Sequence, residues 1–169
     1  MPDHLRSGRA YVLRPIRPED KPLLRWALEH ASSESIYRRF LTAKHRFTAA
    51  EQRYLTEVDM IDHVALVTVD AGRPDVLLGV GRWVRDVKDR TSAEMAIIVA
   101  DDVHRQGLGT RIGLALAELA RDRGVERFTA AILADNRPAH RLFASISAHL
   151  ETQLSGPYAE LVAELPAAA

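Results

Sequence analysis

Apolar and polar positions change rhythm twice along the chain. Residues 11–13 form a short apolar stretch halted by Pro15 and Pro18, which predicts a first strand. Helical spacing takes over after Asp20. Lys21-Pro22 suits a helix's first turn, and Leu23, Leu24, Ala27 and Leu28 follow on one face. Ser32-Ser33 opens a second short helix carrying Ile36, Tyr37 and Phe40. Thr48-Ala49-Ala50-Glu51 is a capping-box pattern, in which two side chains satisfy free backbone amides reciprocally, and predicts a third helix through Tyr54, Leu55 and Val58.

From residue 64 the pattern is that of strands. Residues 64–69 predict a buried strand, Ala71-Gly72-Arg73-Pro74 its turn, and residues 76–84 a second strand containing Gly79 and Gly81. A polar hairpin connection at 86–92 leads to a third strand at 93–99, continuously apolar from Met95 and therefore expected to be covered on both faces. A loop at 100–107 precedes a helix at about 108–123, which Gly124 stops. A strand at 128–133, a helix at 138–146 and a hairpin of 149–154 with 158–165 around Ser155-Gly156-Pro157 complete the order. Pro166 and the three terminal alanines read as a frayed end. This order predicts an α/β chain of the layered α+β kind, with helices on both faces of a mixed, largely antiparallel sheet. One domain over residues 1–169 is expected, with its core at about 11–165.

Composition narrows the chemistry. At 169 residues the chain can bury about two-thirds of its unfolded surface and needs no covalent staple. It has no cysteine, which excludes disulfides, thiolate nucleophiles and cysteine-ligated metal. Twenty-three basic and twenty-three acidic side chains cancel, which argues against a nucleic-acid partner. No run approaches the ~20 apolar residues of a membrane span, and the first ten residues lack a signal peptide's apolar stretch. No membrane partner and a cytoplasmic location are expected. The seven histidines lack metal-ligand spacing, so no metal is expected, and most read as surface or capping groups.

His104-Arg105-Gln106-Gly107-Leu108-Gly109-Thr110 lies between the apolar strand and an amphipathic helix. A helix's first N–H groups have no internal partner, and its dipole places partial positive charge there. Glycines let backbone approach a ligand, Arg105 adds a cation and Thr110 a hydroxyl, so the segment can hold a pyrophosphate. On Gly-x-Gly alone, a tight entry into the helix accounts for the same letters. A P-loop would need Gly-Lys-Ser/Thr, which is absent. A dinucleotide fingerprint would need glycine at Ile112 and an acid where Leu133 ends the next strand.

Residues 93–123 with 125–136 resemble the coenzyme-binding core of the GNAT superfamily of N-acetyltransferases, Gly107 and Gly109 standing at the two glycine positions of its Arg/Gln-x-x-Gly-x-Gly/Ala pattern. More widely, Leu13-Arg14-Pro15-Ile16-Arg17-Pro18-Glu19-Asp20, Ser33-Glu34-Ser35-Ile36-Tyr37-Arg38-Arg39-Phe40, Glu57-Val58-Asp59-Met60-Ile61-Asp62-His63 and Ser92-Ala93-Glu94-Met95-Ala96 are similar to the acetyltransferase domain of bacterial Pat-type protein lysine acetyltransferases. The resemblance implies acetyl-CoA as co-substrate, its pyrophosphate on the backbone of Arg105, Gln106, Gly107, Leu108, Gly109 and Thr110. It also implies a pantetheine arm paired with Ile97 and Val99, and Asn136 near that arm. The sequence departs from the pattern at His104, and Phe143 stands in the region where many members carry a proton-donating tyrosine.

Acyl transfer to an amine whose pKa is about 10.4 benefits from a general base. Glu94 opens an otherwise apolar strand, where desolvation would raise its pKa, and it matches the glutamate that serves as base in Pat-type enzymes. By the resemblance, Tyr37 with Arg38-Arg39-Phe40 is a candidate lining of the acceptor entrance, and half-buried packing of Tyr37 and Phe40 is the alternative. Asp101-Asp102 reads as a solvated turn. The resemblance favours a protein lysine as acceptor. A small-molecule amine, or a non-catalytic acyl-CoA-binding role, remains open at this stage. Larger Pat-type proteins add a nucleotide-binding or acyl-CoA synthetase-like part that 169 residues cannot hold, so cyclic-nucleotide control is not expected.

Overall fold

The computed structural model describes residues 2–167. Its strands are β1 (Asp3–His4), β2 (Ala10–Pro15), β3 (His63–Asp70), β4 (Leu77–Arg85), β5 (Ser92–Val99), β6 (Arg127–Leu133), β7 (His149–Ser155) and β8 (Tyr158–Glu164). They form one sheet in the order β1-β2-β3-β4-β5-β6-β8-β7. Neighbours are antiparallel throughout except β5 and β6, which run parallel.

The two faces carry different helices, and residue alternation explains why. Val64, Leu66 and Leu78 point to one side, where α4 (Leu108–Asp122) and α5 (Arg137–Ile146) cover them with Ile112, Leu116, Phe143 and Ile146. Ala65, Val67 and Val80 point to the other, against α1 (Lys21–His30) and α3 (Ala49–Thr56), with α2 (Ser33–Phe40) continuing that layer. Thr48 and Glu51 make the expected capping box at α3, and Ser32 Oγ accepts from Ser35 N at the start of α2.

Some expectations are revised. β1 was not anticipated, because Asp3 and His4 are polar and exposed and only their pairing with Tyr11 and Ala10 makes them a strand. The helix expected through Val58 stops at Thr56. The loop after β5 holds a 3-10 turn at Asp101–Val103. Ala96 to Val99 are only half-buried, not covered on both faces, because the sheet opens beside them. The frayed end expected at 166–169 falls partly outside the described residues. Up to Leu165 the chain is tied down, its N–H donating to the Glu126 carbonyl at 2.9 Å.

The segments that carry the sequence resemblance are largely fasteners. Arg14 grips buried Asp20 with two bonds of 2.7 Å, and Asp20 also accepts the Arg17 amide. Asp59 accepts three backbone amides, from Ile61, Asp62 and His63, each at 2.9 Å. Those bonds hold its carboxyl below the ordinary range.

Candidate active site

The pairing of β5 with β6 ends early. Ser92 faces Arg127, Ala93 faces Phe128 and Glu94 faces Thr129, and beyond that the strands diverge. β5 stays with β4 up to Val99 while β6 stays with β8. Ala100 N–H donates to the Leu78 carbonyl at 2.8 Å, on the β4 side. Alternation along a strand therefore turns the main-chain groups of Ile97 and Val99 toward the gap. The sequence-derived pair for an extended ligand arm thus lies on an open edge.

That edge leads to the start of α4. Arg105 and Gly107 both have left-handed backbone, φ 64° and 84°, a geometry that favours glycine and costs a side-chain-bearing residue more. Arg111 N–H makes the first bond of the helix, to the Gly107 carbonyl at 3.1 Å, and no side chain caps the end. The amides of Leu108, Gly109 and Thr110 accordingly have no partner among the described residues. Leu108 anchors the turn with a side chain only 2% exposed, while Arg105 and Gly107 are exposed. Gly109 and Gly113 let α4 lie close: a Cβ on Gly109 would sit 3.0 Å from Leu142 Cδ1.

His104 closes the base of this loop through Nε2, 2.9 Å from the Val99 carbonyl. A carbonyl only accepts, so Nε2 carries the proton. The departure from the family pattern is thus a structural bond. Ser7 N–H reaches Gln106 Oε1 at 3.4 Å, and the Arg6 guanidinium lies beside the Arg105 carbonyl. Arg6 was missed by sequence reasoning, since only the β1–β2 turn brings it across 99 residues.

Glu94 is exposed, which removes the desolvation expected for it. It shares a sheet face with Ala96, Ile98 and, through register, Arg82, which stands opposite Ala96. Arg82 is 6% exposed; its Nη1 donates to the Leu55 carbonyl at 3.0 Å and to His63 Nε2 at 2.9 Å. An arginine only donates, so His63 accepts at Nε2 and is neutral there. Burial and then the Arg82 charge lower the His63 pKa to about 4. Burial, with the charge of Arg39 added, lowers that of Arg82 to about 9. Arg39 and His63 lie in segments that carry the sequence resemblance, but nothing in the sequence joined them to Arg82, because the three come from α2, β3 and β4. His63 departs from the surface role expected of most histidines.

Between the helices α1–α3 and this face is a cavity of about 320 Å³, walled by Leu28, Phe40, Phe47, Leu55, Val80 and Ile98. Arg39 and Arg82 also line it. Tyr37 instead lines a second cavity, of about 490 Å³, with Leu133 and Asp135 at the end of β6, and is 41% exposed rather than packed. Asn136 is buried, and its Oδ1 caps α5 by accepting from Ala139 N at 3.3 Å. Phe143 is packed in the core at 4% exposure. Asp101 is more than a solvated turn: it accepts from Ser32 N at 2.8 Å and Ser35 Oγ at 2.5 Å, tying α2 to the end of β5. No cluster of metal-ligating side chains occurs among the described residues.

The sheet opens beside an uncapped helix N-terminus, and the chain belongs to the GNAT family: the family described as Acetyltransferase (GNAT) domain matches residues 11–148. The chain is 34% identical over 148 residues to Acetyltransferase Pat of Mycolicibacterium smegmatis, covering 88% of this chain and 44% of that protein. It therefore spans less than half the length of that relative. Its fold superposes on the GNAT domain of S. lividans PAT with a TM-score of 0.85 and 26% identity, covering 98% of this chain and 96% of the other. A fold likeness also links it to yncA of Salmonella typhimurium, solved with its cofactor acetyl-CoA, at a TM-score of 0.67, 16% identity and coverage of 94% and 96%. No described helix is long and apolar enough to cross a membrane.

Proposed function

We propose that the chain transfers the acetyl group of acetyl-CoA directly to a primary amine, a lysine side chain on a protein, in the cytoplasm. The observation that carries this reading is the continuity of the open β5 edge, at Ile97 and the Val99 amide, with the free amides of Leu108, Gly109 and Thr110. A thioester carrier needs both: main-chain partners for its arm and an anion cradle for its diphosphate. Arg105, Gln106 and Gly107 complete the cradle, and Asn136 holds the start of α5 beside it.

Glu94 lies where the strands part, and serves as the base that takes the proton of the attacking amine, directly or through one water. The amine nitrogen forms a bond to the thioester carbonyl carbon, the carbon–sulfur bond breaks, and the departing thiolate takes a proton from solvent. With no cysteine in the chain, no thiol on the protein carries the acetyl group. Tyr37, exposed on α2 beside the end of β6, contacts the incoming acceptor. The relation to Acetyltransferase Pat supports a protein acceptor. Calorimetry with acetyl-CoA and thiol release over protein and small-amine acceptors test the reading. Heat and a raised melting temperature are expected, with thiol release on protein lysines. No heat and no thermal shift at saturating acetyl-CoA would overturn it, and turnover on small amines alone would overturn its acceptor.

A further inference from the structure

Arg39 makes no hydrogen bond and no ion pair among the described residues, and Arg82 uses only Nη1. The remaining N–H groups are in hydrogen-bond contact with no carboxylate among the described residues, and Glu94 acts on Arg39 only through its charge. Asp101 and Asp102, which also line the cavity, are engaged with Ser32 and Ser35 and with Arg9. No fully buried side-chain nitrogen lacks a partner among the described residues, so these free N–H groups open on cavity space. Arg39 has only the Phe40 ring, 4.7 Å away, and the unbonded Glu94 charge to offset its burial. Two guanidiniums so weakly compensated at an apolar wall are costly unless an anion joins them. They also repel an ammonium. Burial lowers the pKa of Arg39, and the charge of Glu94 opposes that effect.

From these contacts we infer that the cavity between α1–α3 and the β4–β5 face binds a carboxylate on an apolar body, carried by the acceptor whose amine meets Glu94. Register supports the reach. Glu94 and Ala96 stand on one face about 7 Å apart, and Arg82 is opposite Ala96, so an amine at Glu94 and a carboxylate at the arginines are a few bonds apart. Phe40, Phe47, Leu55 and Ile98 enclose the apolar part, and the planar guanidinium forks fit a carboxylate's two oxygens. The inference rests on acetyl transfer at Glu94 and narrows its acceptor. The carboxylate comes either from a glutamate beside a target lysine or from a free apolar amino acid.

The test uses acceptor pairs that differ only in charge: a lysine peptide with glutamate beside the lysine against its glutamine counterpart, and an apolar amino acid against its carboxamide. The acid member of one pair should be favoured about tenfold or more in kcat/KM, through KM. Arg39→Gln should erase that preference and leave the KM for acetyl-CoA unchanged. If Arg39→Gln melts below the assay temperature, Arg39→Lys is used, and a reduced preference is expected because a point charge replaces the fork. Equal use of both members in both pairs, or a preference that survives the Arg39 variant, overturns the inference. If nothing is acetylated, hexanoate and hexanamide are titrated directly. Selective binding of hexanoate that depends on Arg39 upholds the cavity's role while acetyl transfer fails; equal or absent binding overturns it.

Discussion

Gly81→Ala probes the contact that seats the coenzyme-side helix on the sheet. Gly81 pairs with Leu66 of β3 and Ile97 of β5, directly beneath α4. A Cβ there would lie 2.5 Å from Ile112 Cγ2, 2.9 Å from Leu116 Cδ1 and 3.1 Å from Ile97 Cγ1. Ile112 and Leu116 are fully buried and have nowhere to turn, so the helix must lift. Overpacking of this kind costs about 1–3 kcal/mol, and replacing glycine within a strand returns about 0.5–1. With contacts as short as 2.5 Å the cost falls in the upper part of that range, and a net loss of about 1–2.5 kcal/mol lowers the melting temperature by about 2–10 °C for a chain of this length. Gly124→Ala is the matched control. It has φ +77° and open space around it, so it carries a strain cost of about 1–2 kcal/mol without moving α4 against the sheet. Thermal melts and acetyl-CoA calorimetry on both variants separate the effects. Both should lose stability, and only Gly81→Ala should lose coenzyme affinity, because only there does the N-terminus of α4 shift against β5. An unchanged melting temperature in Gly81→Ala, or equal loss of affinity in both variants, would refute the reasoning.

Glu94→Gln keeps shape and removes the carboxylate proposed as the base. Turnover should fall by about 10²–10⁴ while acetyl-CoA affinity stays nearly unchanged, and near-normal turnover would remove Glu94 from the chemistry. His63 sets a pH dependence. Its folded pKa of about 4 lies below the ordinary 6.5, so the unfolded chain takes up its proton first as the solution is acidified. The stability it contributes is complete above about pH 6.5 and is lost as pH falls toward 4. Melting temperatures between pH 7 and 5 should therefore drop less in His63→Gln than in the unsubstituted protein, and parallel pH curves would contradict this.

Local patterns were legible where a single element decides its own shape. The capping box at Thr48, the helix stop at Gly124 and the 93–99 strand leading to Gly107 and Gly109 all follow from nearest neighbours in sequence. What escaped was set by the sheet. Glu94 reads as a desolvated acid only if a layer covers its face of the sheet, and its side chain is exposed although strands pair with it on both sides. Arg39, Arg82 and His63 are far apart in sequence; register brings His63 and Arg82 onto neighbouring strands, and the packing of α2 adds Arg39. Arg6 reaches the loop through a two-residue strand too polar to be recognised. His104 looked like a lost family residue and is a bond to Val99.

An open edge inside a sheet needs a reason. Exposed strand edges invite pairing with other chains, and buried main-chain groups without partners are costly. Here the edge lies between two central strands, where continued pairing with β6 would have satisfied it. β6 is fully engaged with β8 on its far side, seven residues from Arg127 to Leu133, so its divergence is held by a complete ladder and does not depend on a weak strand. On the other bank, the glycines at 79 and 81 let α4 press on β4, and Asp101 fastens the end of β5 to α2. Each bank is therefore fixed by its own contacts, and the gap between them persists without a ligand to hold it apart. A preformed gap of this kind lowers the ordering cost when an extended arm binds, which suits the proposed exchange of an acyl carrier at every turnover.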